Sequence, residues 1–150
     1  TMELRLVEEK ILNGLSVRTD NVTEMDSNNG LIPALWQKFD NTVPVDYKNG
    51  ERVYGIYSNY ESDHTGRFTV SACFDGKVFP AEANLAQVTI PTAKYLVFSH
   101  QGEMPQIAID AWTEVWRYFA DTKAEYQRTY TTDFEYYPNG NEIEVHIAVK

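Results

Sequence analysis

The sequence lacks the residue patterns on which several classes of protein depend. Its single cysteine, Cys73, excludes an internal disulfide framework. No GxSxG elbow, glycine-rich phosphate loop or Cys/His nucleophile pattern occurs. The three histidines, His64, His100 and His146, lie far apart, and none has metal-ligand spacing with a cysteine or another histidine. The sequence therefore predicts neither a metal site nor a cofactor.

Basic residues are also scarce. Thirteen Lys and Arg residues stand against 22 Asp and Glu residues, and the formal net charge is −9 at pH 7. A nucleic-acid-binding protein must neutralise phosphates with clustered Lys and Arg, so this balance argues against direct binding of nucleic acid. The same acidity weakly favours a cationic ligand.

Long apolar runs are missing as well. No run approaches the roughly 20 residues that a membrane span needs. The first ten residues, TMELRLVEEK, carry charge where a signal peptide needs an apolar stretch, which predicts a cytoplasmic protein without membrane contact. At 150 residues, with 43% hydrophobic and 23% charged residues, the chain is expected to form one folded domain over residues 1–150.

An internal repeat is the most informative pattern. The motif W-x-x-F occurs at Trp36–Phe39 and again at Trp116–Phe119. The two copies are 80 residues apart (116 − 36 = 80), and the same offset aligns Tyr57 with Tyr137. The alignment extends over roughly 40 residues without a gap. The sequence therefore predicts a duplication.

Each half has the order strand, helix, strand, strand, from hydrophobic periodicity and turn signals. We predict an α+β fold of two β-α-β-β units with pseudo-twofold symmetry, antiparallel sheets, one main helix per half and a central cleft. The halves span about residues 3–77 and 83–150. The predicted opening strands are Leu12–Arg18 and Tyr95–Ser99, the helices Leu31–Asp40 and Pro105–Asp121, and the hairpin strands Val53–Asn59, Arg67–Phe74, Asp133–Tyr137 and Glu142–Val149.

The stretch TDFEYYPNG, residues 132–140, places one carboxylate among aromatic residues. Side chains alternate along a strand, so Glu135 and Tyr137 share one face, and their repeat counterparts are Gly55 and Tyr57. A glycine opposite a glutamate is expected to leave room for a third body in the cleft. The opposite face is expected to pack beneath the helices; it carries Tyr54, Ile56, Phe134 and Tyr136.

A carboxylate surrounded by aromatic rings loses its hydration, which raises its pKa and makes the charged form costly unless it is paired. No Lys or Arg occupies the position that the repeat matches to Glu135. A cationic ligand would supply the missing charge, and aromatic faces would add about 0.5–2 kcal/mol each. The alternative is a Glu135 that faces solvent or accepts a hydrogen bond from a backbone amide.

Six motifs follow one another along the chain: IPALWQKF (32–39), YGIY (54–57), IPTAKYLVFSHQG (90–102), WTEVW (112–116), DFEYY (133–137) and IEVHI (143–147). Their order resembles the GyrI-like small-molecule-binding domain, which is also the effector-binding domain of AraC- and MerR-type multidrug-responsive regulators. The resemblance implies a duplicated β-α-β-β fold and a hydrophobic cleft for lipophilic cations with an acidic residue at its base, a role that falls on Glu135. Those regulators carry a helix-turn-helix that finds no place in this sequence, so we expect a separate sensor module.

Further candidates lie on the two helices. Glu114, at the edge of the apolar stripe of the second helix, is the competing carboxylate, although a boundary position explains it better. Trp116 could reach the cleft, and Trp36 matches it by the repeat, whereas Trp112 fits the core. The predicted ligand-binding residues are Glu135, Tyr137, Tyr57, Gly55, Trp116, Trp36 and Glu114.

Two other functions stay open. A glutamate with a raised pKa beside tyrosines could serve a hydrolase as general acid or base. An exposed acidic face, such as that of Glu142 with Glu144, could bind a protein partner in the manner of a gyrase inhibitor, or a second copy of the chain. The interpretation that we prefer is binding of hydrophobic or aromatic cations without chemical conversion.

Overall fold

A computed structural model describes residues 2–150, in which eight strands form one antiparallel sheet; Thr1, at the start of the predicted domain, lies outside the described residues. Across the sheet the order is β1-β6-β8-β7-β3-β4-β2-β5. No helix in this part of the chain is long and apolar enough to cross a membrane. The strands are β1 (Met2–Val7), β2 (Lys10–Asp20), β3 (Val53–Ser58), β4 (Arg67–Phe74), β5 (Ala86–Ile90), β6 (Ala93–Gln101), β7 (Thr132–Asn139) and β8 (Glu142–Ala148); the helices are α1 (Asn21–Met25), α2 (Ile32–Thr42) and α3 (Gln106–Ala120).

The sheet order confirms the duplicated α+β fold. The triplets β6-β8-β7 and β3-β4-β2 mirror each other across the central pair β3–β7. In that pair Gly55 lies directly opposite Glu135, and these are also the two residues that the repeat equates. The pseudo-twofold axis therefore passes between them. The exact limits of the halves, about residues 3–77 and 83–150, stay a prediction.

Two strands that the sequence patterns did not indicate join the halves. β1 leads into β2 yet pairs with β6, and β5 leads into β6 yet pairs with β2. Val7 and Lys10 lie at most about 11 Å apart along the chain. A flat sheet would place their strands roughly 29 Å apart, at six spacings of about 4.8 Å. The sheet must therefore curl until β1 and β2 come close at this end.

The two faces of the sheet carry different cores. On one face Phe39 of α2 packs in a cluster with Phe68 and Phe74 of β4, and α3 packs over residues that include Phe98 and Ile147. The other face carries no helix, and we call it the inner face. It holds a third core with members from seven of the strands, namely Leu12, Tyr54, Ile56, Cys73, Ile90, Tyr95, Val97, Phe134 and Ala148.

This arrangement corrects one expectation. Alternation grouped Tyr54, Ile56, Phe134 and Tyr136 correctly, but they lie on the inner face, and Glu135 lies on the face that the helices cover. Alternation says which side chains share a face. Which face the helices cover depends on the path of the connections, which a period of two does not contain.

His146 is a buried member of the inner face. It is 3% exposed, and its ring stacks on Phe134 with 4.1 Å between ring centroids. Burial lowers the pKa of the His146 imidazole to about 3, and the positive charges of Arg5 and Lys10 act in the same direction. The ring is therefore neutral at pH 7.

This burial predicts a loss of stability in acid. In the unfolded chain His146 binds a proton near its ordinary pKa of about 6.5, whereas the folded protein does not until about pH 3. The buried neutral ring therefore contributes its full stabilisation above about pH 6.5. As pH falls below that value, the free energy of unfolding falls by up to about 1.4 kcal/mol per pH unit. Urea unfolding between pH 4 and 8 should show a flatter pH dependence for His146→Gln than for His64→Gln, which changes an exposed loop residue. Equal pH dependence in the two variants would contradict this assignment.

Candidate ligand-binding site

Glu135 lies at the centre of the helix-covered face and is 4% exposed. Trp112 Nε1 donates a hydrogen bond to Oε2 at 2.6 Å, and the Tyr137 hydroxyl donates to Oε1 at 2.8 Å. The Tyr57 hydroxyl donates to Oε2 at 3.4 Å. Within residues 2–150 no Lys, Arg or His lies within ion-pair distance of this carboxylate. Glu135 thus neither faces solvent nor relies on a backbone amide; three neutral side chains hold it.

The enclosure shifts the titration of the whole group. Burial raises the pKa of the Glu135 carboxyl, and the hydrogen bonds from Trp112, Tyr137 and Tyr57 partly oppose the rise. Burial, together with the nearby carboxylate, raises the pKa of the Tyr57 and Tyr137 hydroxyls well above their ordinary value. Both tyrosines therefore stay protonated and remain hydrogen-bond donors.

Gly55 makes the space that Glu135 occupies. A Cβ at position 55 would lie 2.5 Å from Oε1 of Glu135 and 3.0 Å from Cζ2 of Trp36. The expectation that this glycine leaves room for a third body is therefore wrong, because the carboxylate itself fills the room. Any ligand must lie elsewhere.

A cavity of about 160 Å³ opens beside this cluster, and Tyr57 and Trp112 form part of its wall. Glu135 is not among its lining residues, so these two side chains, both bonded to its Oε2, stand between the carboxylate and the cavity. A second space of about 560 Å³ adjoins it and shares four lining residues with it. The inner cavity is lined by Asn21, Glu24, Ile32, Tyr57, Tyr60, His64, Phe68, Trp112, Trp116 and Arg128; the outer one is lined by Asn21, Val22, Glu24, Met25, His64, Thr65 and Trp116.

The predicted tryptophans occupy different places. Trp116 is 40% exposed, lines both cavities and meets the His64 ring edge-on at 5.4 Å between centroids. Trp36 lies outside the cavities, where its ring packs edge-on against Tyr137 at 5.9 Å. The W-x-x-F repeat therefore does not predict a shared position at the cavity.

Glu114 is separate from the cluster. Its Oε1 lies 2.8 Å from Nε2 of His100, and it lines neither cavity. Of the two competing carboxylates, Glu135 is the one that the structure brings to Tyr57 and Tyr137.

The sequence over residues 3–149 matches the family model of Cass2, described as integron-associated effector binding protein. The chain belongs to this family. Its function class is therefore effector binding, and the resemblance to GyrI-like small-molecule-binding domains is confirmed. No curated protein matches the chain significantly.

Solved structures agree with this placement. The integron cassette protein VCH_CASS2 of Vibrio cholerae is 40% identical, with a TM-score of 0.89 over 99% of this chain and 95% of that chain. SAV2435, solved with tetraphenylphosphonium, is 19% identical, with a TM-score of 0.72 over 100% and 94% of the two chains. The C-terminal domain of EcmrR is 17% identical, with a TM-score of 0.56 over 100% and 97%. At these low identities the last two show a common fold alone.

Two cavity residues of this Cass2 family member, Trp112 and Glu24, have roles that the sequence patterns do not indicate. Trp112 falls on the apolar stripe of α3, so the sequence predicts a core position for it. The need of a buried indole N–H for a partner was the signal that could have linked it to Glu135. Glu24 lies on α1, a helix of five residues that no periodicity indicates. Its carboxylate accepts hydrogen bonds from the Thr19 hydroxyl and from the backbone N–H groups of Leu31 and Ile32, at 2.6 to 3.0 Å.

An enclosed ion pair adjoins the inner cavity. Arg128 Nη2 lies 2.8 Å from Oδ2 of Asp133, and these side chains are 6% and 0% exposed. The Tyr60 hydroxyl donates to the same oxygen at 2.6 Å. Because Asp133 neutralises Arg128, the positive charge in the cavity wall is compensated.

The close contact at Gly55 predicts that Gly55→Ala is destabilising. The new methyl group must displace a carboxylate that three donors hold, at a cost of about 1–3 kcal/mol in free energy of unfolding. Gly140→Ala is the matched control, because a Cβ there has no atom within 4 Å. Urea unfolding of both variants tests the prediction, and equal stability of the two would contradict it.

Proposed function

We propose that this protein binds lipophilic organic cations in the inner and outer cavities, with Glu135 as a counter-charge behind the wall that Tyr57 and Trp112 form. One observation carries the proposal. Glu135 is a buried carboxylate whose only hydrogen-bond donors in residues 2–150 are three neutral side chains.

The energetics favour a cation beside this group. A buried carboxylate without an opposite charge loses several kcal/mol of hydration free energy, and neutral donors recover part of it. A cation against the outer faces of Tyr57 and Trp112 would gain about 0.5–2 kcal/mol from each ring. At roughly 6 Å from the carboxylate it would gain about 3 kcal/mol more at an effective dielectric constant of about 20.

The sizes of the two cavities indicate how the parts of a bulky ligand would be distributed between them. Sites for drug-sized molecules occupy about 300–1,000 Å³, which exceeds the inner cavity of about 160 Å³. We infer that the charged centre lies in the inner cavity and that lipophilic substituents extend past Trp116 into the outer one. Val22 and Met25 line that outer space and are 79% and 85% exposed, so a ligand would cover apolar surface there.

The comparisons support the ligand class. SAV2435, which shares the fold, was solved with tetraphenylphosphonium, a lipophilic cation. EcmrR, another protein with this fold, was solved in a complex with DNA. For the present chain the net charge of −9 favours no direct contact with nucleic acid, and an effect on transcription would require a partner protein. That partner, a homodimer and a cytoplasmic location stay predictions.

The hydrogen bonds favour binding over hydrolysis. Both oxygens of Glu135 accept bonds from fixed donors, and the residue does not line the cavity. A general base must reach the water that it activates. The arrangement suits a stationary counter-charge better than a group that takes up and releases protons in each cycle.

Removal of the charge should affect only cationic ligands. Glu135→Gln is expected to weaken tetraphenylphosphonium binding more than tenfold while it spares triphenylphosphine oxide, a neutral molecule of similar shape. The affinity is measured by quenching of tryptophan fluorescence during titration of each compound. Glu114→Gln is the matched control and should leave both affinities unchanged, since Glu114 pairs with His100. An equal loss for both compounds in Glu135→Gln would overturn the electrostatic role.

Cation binding should also depend on pH. Burial raises the pKa of Glu135 in the free protein, and a bound cation lowers that pKa by stabilising the ionised form. The affinity for tetraphenylphosphonium should therefore rise with pH until the pH passes the raised pKa of Glu135 and be constant above it. Calorimetric titrations between pH 4.5 and 8 test this, and the affinity of the Glu135→Gln variant should depend less on pH than that of the wild-type protein. A pH-independent affinity in the wild-type protein would contradict it.

A further inference from the structure

A further cavity of about 330 Å³ lies on the inner face, between the end of β1 and the β7–β8 hairpin. It shares no lining residue with the two cavities of the helix-covered face. Its deep wall is aromatic and its rim is charged. The lining residues are Arg5, Leu6, Val7, Glu8, Lys10, Tyr54, Phe134, Tyr136, Glu144 and His146.

His146 presents a hydrogen-bond acceptor without a partner. Its Nδ1 lies 3.4 Å from the carbonyl oxygen of Glu144, which places the proton of the neutral ring on Nδ1. Nε2 then carries a lone pair. Oε1 of Glu144 lies 3.8 Å from it, is itself an acceptor and is beyond hydrogen-bond distance. His146 as a whole is buried, but its Nε2 atom is open to the cavity, where water or a ligand can donate a hydrogen bond to it.

Tyr54 presents the complementary donor. Its side chain is 6% exposed, and its hydroxyl has no hydrogen-bond partner among residues 2–150. Burial raises the pKa of this hydroxyl, so that it stays protonated. The Tyr54 and Tyr136 rings lie 5.1 Å apart between centroids and form part of the aromatic wall.

The repeat shows that the fold does not require these two polar groups. Ser71 is the repeat counterpart of His146, and its hydroxyl is satisfied by the hydroxyl of Ser16 at 2.7 Å. Phe134 is the counterpart of Tyr54 and has no polar atom. At the position related by the repeat, Ser71 is satisfied internally and Phe134 offers no side-chain polar atom, whereas here an acceptor from one half and a donor from the other are open to a cavity.

The charges at the rim nearly cancel. Arg5 donates to Glu144 at 3.1 Å and to Glu3. Lys10 and Glu8 contribute one charge of each sign. The cavity therefore has no strong preference for an ionic ligand, unlike the site beside Glu135.

We infer that this cavity is a second binding site, for a neutral planar ring that carries both a hydrogen-bond donor and an acceptor, as an aromatic carboxamide does. The N–H group of the ligand donates a hydrogen bond to Nε2 of His146, and its oxygen accepts one from the Tyr54 hydroxyl. The ligand's ring packs on Tyr136. Cations occupy the other site, so the two sites bind chemically different ligands.

Benzamide is the probe, added to ¹⁵N-labelled protein that has first been saturated with tetraphenylphosphonium. The expected result is a saturable shift of the His146 Nε2 resonance in long-range ¹H–¹⁵N spectra. N,N-dimethylbenzamide, which has no N–H donor, should give no comparable shift. Tyr54→Phe removes only the hydroxyl. It should weaken benzamide binding by about 3–10-fold, because this is the usual net effect of one hydrogen bond. Tyr60→Phe is the control at the other site and should leave benzamide affinity unchanged.

Three outcomes would overturn the inference. The first is a His146 signal that benzamide at tens of millimolar does not shift. The second is equal binding of benzamide and N,N-dimethylbenzamide, which would mean that no donor is recognised. The third is displacement of benzamide by tetraphenylphosphonium, which would place both molecules in the cavity beside Glu135.

Discussion

A carboxylate without a basic partner is buried on the pseudo-twofold axis of the sheet, and the helix-covered face is arranged around it. On the axis the two positions that the repeat equates are direct neighbours, so two full side chains would compete for one space. Glu135 occupies that space because its counterpart is Gly55. The next matched pair, Tyr57 and Tyr137, lies off the axis, and both tyrosines reach the carboxylate from opposite sides. The symmetry of the fold therefore produces an asymmetric site.

In the proposed function, the charge of Glu135 connects stability with binding. The donors that stabilise it come from β3, β7 and α3, so the carboxylate joins the two halves of the molecule. The same donors are neutral and leave its charge uncompensated. Tyr57 and Trp112 both bond to the carboxylate and line the cavity, so that in the proposed function the charge of Glu135 would act on a ligand beyond these two side chains while the carboxylate itself stays enclosed. The inner face is different, because its titratable His146 is neutral and the charges at the rim of its cavity nearly cancel.

Much of the fold follows from local patterns. The helices and hairpins were predicted to within a few residues, since their apolar periods and the turn before Glu142 are local properties of the chain. β1 and β5 were missed. Each pairs with a strand of the other half, so that its register depends on residues more than seventy positions away. The prediction of which sheet face the helices cover was wrong for a related reason. That face depends on the path of the connections between distant strands, and the crossing of β1 and β5 belongs to this path.

The residues of the candidate site also fall into a group that the sequence predicts and a group that only the structure shows. Glu135, Tyr137, Gly55 and Tyr57 were found from sequence, because alternation along one strand and a repeat offset are enough to place them on a common face. Trp112, Glu24 and the Arg128–Asp133 pair were not, because α3, α1 and the segment before β7 reach the cavity only after the chain has folded back on the sheet. Whether Glu135 was solvated or enclosed was also beyond the sequence. Burial is a property of all the elements that pack around a side chain, and a strand pattern reports only the direction in which that side chain points.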